Sequence, residues 1–151
     1  MKLTDLSTAG GKAHNLAVLS AAGFPVPQWT VLGTEAFRTG MAAAGVHLSD
    51  APLTLPERLR EASYSELAVL NSALPVAIRE DLRAALEQVG EGRLAVRSSG
   101  RQEDGAAHSF AGLFDTILNV TGIDAIEDAV RRCWASAFSQ RATQYLSLIH
   151  I

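Results

Sequence analysis

Hydrophobic and polar positions in the first third of the chain follow the spacing of helices, interrupted by glycine and proline. Residues 12–22 carry leucines on one helical face, and Gly23 follows the last apolar position of that pattern. Two prolines then prevent the helix from continuing and favour extended backbone, so residues 29–32 are predicted to form a strand. A helix followed by an extended segment is therefore expected here.

The middle of the chain is predicted to be mainly helical. A second helix is expected from Thr34, whose hydroxyl can cap the first turn, to about Ala44. Residues 45–55 are polar and rich in turn formers, which is typical of a loop. Residues 63–89 again have helical spacing, and Pro75 is expected to begin a new helix because proline suits a first turn.

The last third alternates between short apolar runs and a strongly amphipathic segment. Residues 94–98 and 116–120 are predicted strands, and residues 99–111 between them are a long loop of small residues. Residues 123–138 have the spacing of an amphipathic helix. Helices placed between short strands indicate a mixed α/β (or α+β) domain.

Composition excludes several classes of protein. The chain has 151 residues, of which 48% are hydrophobic and 19% charged, as expected of one globular domain. A net charge of −3 without a basic stripe argues against nucleic acid as a partner. A single cysteine, Cys133, provides neither a disulfide nor a cysteine metal cluster. With no apolar leader or membrane-length run, a cytoplasmic protein without a membrane partner is expected.

The first candidate site is Gly10-Gly11-Lys12, where a loop turns into the first predicted helix. The N-terminus of a helix presents backbone N–H groups and a positive dipole end, and both stabilise an anion. Lys12 adds a mobile positive charge and is one of only two lysines in the chain. The sequence is not a P-loop, since Leu6 and Ala13 replace residues that the P-loop requires. Taken alone, a loop with a solvated lysine explains the motif better.

The second candidate is Arg97, which ends the predicted strand at residues 94–98. If that strand is buried, its guanidinium requires a partner, because an unpaired buried charge costs several kcal/mol, roughly. The partner is either a carboxylate such as Glu103 or Asp104, or a bound phosphate that the guanidinium grips through two hydrogen bonds. Ser98 and the serine after it can add hydroxyl donors.

The third candidate is the loop at residues 100–112. It is long for a connection between neighbouring strands, and loops of this length commonly act as lids. Its small residues would let the backbone fold over a ligand, and Ser109 and Thr116 could donate to phosphate oxygens. The alternative is a hairpin with a flexible tip.

These motifs occur in an order that resembles the N-terminal ATP-binding domain of the phosphoenolpyruvate synthase and pyruvate phosphate dikinase family. The resemblance extends from about Gly10 to Tyr145, and its strength lies in several motifs in register rather than in any one of them. The matching stretches are residues 10–16, 23–27, 96–99, 109–112, 118–120 and 133–136.

The resemblance implies the first part of an ATP-grasp-like nucleotide-binding domain, incomplete in this chain. Family members pass a phosphoryl group from ATP to a histidine on a swivelling domain, and then to pyruvate or another small acceptor. The Mg²⁺ ligands of relatives lie in a second half of the domain, so no metal ligand or catalytic residue is assigned here. The ATP phosphate-binding residues implied by the resemblance are Lys12, Arg97, Ser98, Ser109, Phe110, Ala111, Gly112 and Thr116.

Two departures from the family pattern leave the acceptor open. Leu113 stands where many relatives carry glutamine, and Gly100 stands where alanine is usual. A rifampicin phosphotransferase-like enzyme is therefore an alternative, as are a nucleotide-binding module without catalysis and a non-functional fragment. The isolated chain is expected to be inactive. Residues 1–145 are interpreted as the N-terminal portion of the domain, and residues 146–151 as a non-native end on a truncated reading frame.

Overall fold

A computed structural model describes residues 10–47, 53–90, 92–99 and 115–143. These residues form a helix-rich α/β structure with one small antiparallel sheet, in agreement with the predicted fold class. The prediction of a non-native end at residues 146–151 lies outside the described residues. The elements are α1 (Gly10–Ala21), α2 (Thr34–Ala43), α3 (Leu55–Asn71), α4 (Val76–Val89), β1 (Leu94–Arg97), β2 (Thr116–Val120), α5 (Ile123–Ala135) and a 3-10 turn (Ser136–Phe138).

Helix α3 begins earlier than the spacing of apolar residues predicts. It starts at Leu55 because Thr54 and Glu57 form a capping box, with the Thr54 backbone N–H donating to Glu57 Oε2 at 2.8 Å. The Thr54 hydroxyl donates to the same oxygen at 2.6 Å. The helix predicted from residue 63 thus begins eight residues earlier, and the predicted loop at residues 45–55 overlaps it only at Leu55. Pro75 precedes α4 as its N-cap, as its position in the sequence indicated.

Two further predictions were wrong in detail. Gly33 is the N-cap of α2, and Thr34 is its first residue, without a capping hydrogen bond from the hydroxyl. Residues 29–32 do not form the predicted strand, because none of the described residues supplies a neighbouring strand for ladder hydrogen bonds. The amphipathic segment at residues 123–138 is α-helical only to Ala135 and then tightens into the 3-10 turn.

Strands β1 and β2 pair antiparallel with one irregularity. Leu94 pairs with Val120 and Val96 with Ile117, so β2 contains one more residue than β1 over this stretch. Asn119 lies in the irregular stretch with a φ of 57°, a left-handed conformation that asparagine adopts more readily than most residues. The bulge thus has a local cause in the sequence.

The sheet packs one face onto helices α4 and α5. Apolar side chains of both strands join a core that centres on α5, where Ala129 and Val130 are almost fully buried. A second apolar cluster surrounds Met41 on α2, and Trp134 packs against both clusters. The first core consists of Ile78, Leu82, Val120, Ile126, Ala129 and Val130, and the second of Met41, Val46, Val69 and Ala135.

Candidate functional site

The N-terminus of α1 lies against the residues that follow β1. The Ala13 backbone N–H donates to Ser99 Oγ at 3.1 Å, and Lys12 Nζ donates to the Ser98 carbonyl oxygen at 3.3 Å. Each of these contacts joins residues that are 86 positions apart in the sequence. The Gly-Gly-Lys and Arg-Ser-Ser motifs, separate in the sequence, therefore meet in the fold.

Gly10 makes this close approach possible. Its φ of 73° lies in the left-handed region, and a Cβ atom at this position would lie 1.8 Å from the Ser99 carbonyl oxygen. A side chain is thus excluded both by backbone conformation and by space. The sequence motif suggested phosphate approach as the role of this glycine, whereas in the structure its missing side chain admits Ser99.

The end of the β1–β2 ribbon carries two of the predicted site residues. Arg97 pairs directly with Thr116, so their side chains project from the same face of the ribbon. Both residues are exposed, whereas the preceding Val96 and its partner Ile117 are half-buried against the core. Lys12, whose ammonium contacts the carbonyl of Ser98, thus lies near the same end of β1 as Arg97.

The expectation that Arg97 sits in a buried strand was wrong. Burial alternates along β1, so that Leu94 and Val96 are half-buried while Arg97 faces solvent. A two-stranded ribbon covered on one face leaves every second side chain outside. Because water can solvate the exposed guanidinium, Arg97 does not require a charged partner. In the described part of the chain no carboxylate forms an ion pair with it.

The remaining predicted residues fall outside the described part of the chain. These comprise the small-residue loop and both proposed carboxylate partners of Arg97. Of the five phosphate-binding residues predicted in and just after this loop, Thr116 is the one that lies in the described part of the chain. The residues not placed are Glu103, Asp104, Ser109, Phe110, Ala111 and Gly112.

Among the described residues, the charged side chains in the first turn of α1 and at the end of β1 are positive. The first turn contains no acidic residue that would neutralise the helix dipole, and Lys12 lies within it. Arg97 adds a second exposed positive charge near the end of β1. Together these groups form a surface that favours an anion with several negative oxygens.

The other polar groups of the described residues have structural contacts. Arg79 on α4 pairs with Asp124 and Glu127 on α5, which ties these two helices together. Cys133 is buried, and its thiol donates to the Asp115 carbonyl oxygen at 3.5 Å. Within the described ranges, no group of three or more His, Cys, Asp or Glu residues is arranged to hold a metal ion.

No helix in the described ranges is both long and apolar enough to cross a membrane.

His14 and His47 lie on the surface, on α1 and after α2, and their separation in the sequence is not that of metal ligands. The candidate polar groups that the fold brings together are thus those of the Gly-Gly-Lys motif at the start of α1 and the Arg-Ser-Ser motif at the end of β1.

Comparison with known proteins identifies the family. A family model described as the pyruvate phosphate dikinase AMP/ATP-binding domain matches residues 6–151. The chain belongs to this family. The resemblance to phosphoenolpyruvate synthases and pyruvate phosphate dikinases that the motifs indicated is confirmed.

Individual relatives match most of this chain but only a small part of their own length. The prodigiosin synthesizing transferase PigC of Serratia marcescens is 40% identical over 139 residues, which are 90% of this chain and 15% of that protein. A rifampicin phosphotransferase of a Streptomyces species is 40% identical over 149 residues, which cover 93% of this chain and 17% of that protein. A probable phosphoenolpyruvate synthase of Methanothermobacter thermautotrophicus is 33% identical over 154 residues (93% and 22%). The family model and the names of the last two relatives support a nucleotide-binding domain in a phosphotransferase family, and the chain spans 15–22% of the length of these three relatives.

Proposed function

We propose that this chain forms one side of an ATP site in an ATP-dependent phosphotransferase, with Lys12 and Arg97 as ligands of the ATP phosphates. The observation that carries the proposal is the pair of contacts that brings the N-terminus of α1 to the end of β1. Ser98, which follows Arg97 and whose carbonyl oxygen Lys12 contacts, is the third proposed phosphate ligand. A fold of the ATP-grasp type is part of the same proposal.

The chemistry of these groups suits a polyphosphate. Lys12 donates to a neutral carbonyl oxygen, and a charged phosphate oxygen is a stronger acceptor for an ammonium group. The exposed guanidinium of Arg97 can bind two phosphate oxygens at once. Phosphoryl transfer depends mainly on positioning and charge stabilisation, which such groups supply. Mg²⁺ would accompany ATP, with ligands from beyond the described residues.

The small-residue loop is proposed to cover the phosphates. Thr116, at the start of β2, pairs with Arg97 and follows this loop in the sequence. A loop that enters the sheet beside Arg97 is well placed to fold over an anion bound there. Its proposed phosphate-contacting residues are Ser109, Phe110, Ala111 and Gly112.

The full reaction is proposed to pass a phosphoryl group from ATP to a histidine outside this chain, and then to a small acceptor. Pyruvate is the acceptor by family inference. Rifampicin is the second candidate, because the rifampicin phosphotransferase is 40% identical to this chain and the phosphoenolpyruvate synthase 33%. The departures at Gly100 and Leu113 leave the choice between these acceptors open. A module that binds nucleotide without catalysis is the non-enzymatic alternative.

ATP titration tests the phosphate assignment. The protein to use is a chimera in which residues 10–145 replace the matching stretch of the Streptomyces rifampicin phosphotransferase, so that the rest of the site is present. We expect Lys12→Ala and Arg97→Ala each to raise the Kd for ATP by about tenfold or more, since a charge-assisted hydrogen bond contributes roughly 1.5–3 kcal/mol. The 151-residue chain alone is expected to bind ATP weakly or not at all.

Arg93→Ala is the matched control. It removes an exposed arginine just before the opposite end of β1, roughly 13 Å from Arg97 for a strand rising about 3.3 Å per residue. It should leave the Kd for ATP within about twofold of the starting chimera. If the chimera binds ATP and turns over normally with both Lys12 and Arg97 replaced, the phosphate assignment is wrong.

A further inference from the structure

Helix α1 contacts the end of β1 through its first turn. Ala13 is its only buried residue, and the side chains of Val18 and Leu19 farther along the helix are 53% and 42% exposed. Ala13 is also the residue whose N–H donates to Ser99 Oγ. The hydrogen bond from Ala13 to Ser99 and the packing of Gly10 on Ser99 are together called the Ser99 anchor below.

The Ser99 anchor joins the two segments that carry the cations. Ala13 is adjacent to Lys12 on α1, and Ser99 lies two residues after Arg97 at the end of β1. Fixing Ala13 to Ser99 therefore fixes the start of α1, and Lys12 with it, relative to the end of β1. An anion that binds both cations requires this spacing to be set before it arrives.

The contact also provides part of a helix cap from a distant segment. The first four backbone N–H groups of a helix have no partner within the helix, and a serine oxygen is a preferred acceptor for one of them. Here the acceptor comes from 86 residues farther along the chain, rather than from the residue before the helix. A cap of this origin sets the position of the helix as well as its stability.

We propose that Ser99 is a positioning residue, whose hydroxyl holds α1 against the end of β1 and so spaces Lys12 and Arg97 for a polyphosphate ligand. The proposal rests on the function proposed above, because the ligand is the ATP of that site. The alternative role for Ser99 is direct donation to a phosphate oxygen. The two roles predict different behaviour when Lys12 is absent.

The test uses the chimera described above with Ser99→Ala, Ser99→Thr and a control, Ser63→Ala. Ser63 is exposed on α3, and its hydroxyl donates only locally, to the Leu59 carbonyl oxygen at 2.9 Å. We expect Ser99→Ala to raise the KM for ATP by about fivefold, the ratio that corresponds to one capping hydrogen bond. Ser99→Thr, which keeps the hydroxyl, should restore most of the affinity, and Ser63→Ala should change little.

A double-mutant cycle separates positioning from direct binding. If Ser99 acts through Lys12, the effect of Ser99→Ala on the KM for ATP should fall below about twofold in a Lys12→Ala background. An effect of about fivefold that persists in that background would show direct binding and overturn the proposal. An unchanged KM in Ser99→Ala, matching the Ser63→Ala control, would overturn it as well.

Amide hydrogen exchange at Ala13 distinguishes a failure of this proposal from a failure of the proposed function. In the absence of ATP, Ser99→Ala should accelerate exchange of the Ala13 amide by about fivefold, and Ser99→Thr should not. If Lys12→Ala leaves ATP binding intact while Ala13 exchange still depends on Ser99, the anchor exists but the ATP assignment fails. If the Ala13 amide exchanges at the same rate with and without Ser99→Ala, the Ser99 anchor itself is absent.

Discussion

At the scale of single residues, Gly10 and Ser99 determine how closely α1 approaches the end of β1. Ser99 contacts both the glycine at the start of the helix and the N–H of Ala13. The glycine contributes through the absence of a side chain, and the serine through its hydroxyl. The charges of Lys12 and Arg97 thus rely on uncharged neighbours for their positions.

Gly10→Ala should destabilise the protein through two effects. Alanine at positive φ costs roughly 1–2 kcal/mol, and its Cβ would overlap the Ser99 carbonyl oxygen. Gly23→Ala is the matched control, because Gly23 also has a positive φ of 82° but a Cβ added there would meet nothing within 4 Å. Urea unfolding of both variants should show the larger loss for Gly10→Ala. If both variants lose the same free energy of unfolding, the close contact between Gly10 and Ser99 contributes nothing to stability.

At the scale of elements, the capping box of α3 shows how a short motif sets a helix boundary. The Glu57 carboxylate accepts hydrogen bonds from the hydroxyl and the backbone N–H of Thr54. These bonds favour the charged form and hold the pKa of Glu57 below its ordinary value of 4.5, with the hydroxyl as the larger cause. The apolar spacing alone had missed the first turns of this helix.

The capping box predicts a dependence of α3 on pH. Because the pKa of Glu57 is lowered in the folded protein, its contribution to stability is present above pH 4.5 and is lost as the pH falls through the folded pKa. Thr54→Ala should move the pKa of Glu57 part of the way back toward 4.5 and weaken this dependence, because the backbone N–H at position 54 still donates to the carboxylate. An NMR titration of the Glu57 carboxyl carbon measures both pKa values. Identical values in the two proteins would contradict the capping role.

At the scale of the whole molecule, Trp134 on α5 joins the two apolar cores. Its ring meets Phe37 edge to face, with centroids 5.7 Å apart and planes at 88°. It also lies so close to Gly40 on α2 that a Cβ there would be 2.3 Å from the indole ring. Helix α2 is thus fixed to α5 through one aromatic side chain, and the two cores are expected to unfold together.

Trp134→Ala should therefore lower the free energy of unfolding by about 3 kcal/mol, a typical cost for removing a large aromatic side chain from a core. Trp29→Ala is the control, since Trp29 is also half-buried but belongs to neither core cluster. Chemical denaturation followed by circular dichroism measures both. A loss no greater for Trp134 than for Trp29 would show that the cores do not depend on this contact.

Much of the site was predictable from the sequence because its motifs carry local signals. A glycine pair before a helix and an arginine at the end of an apolar run are visible in the order of residues alone, and both strands were placed within a residue. The exposure of Arg97 was not predictable, since it depends on which face of the ribbon the helices cover. The Ser99 anchor was not predictable from the sequence either, because Ala13 and Ser99 are 86 residues apart.

By itself the sequence predicted both strands of the sheet, the approximate positions of the helices and the family, since periodicity, capping residues and ordered motifs are properties of short stretches. Only the tertiary structure decided that the Gly-Gly-Lys and Arg-Ser-Ser motifs touch, that Arg97 faces solvent, and that Ser99 Oγ accepts a hydrogen bond from the Ala13 N–H. The physical reason is that packing selects among contacts between distant segments, which local propensity does not encode.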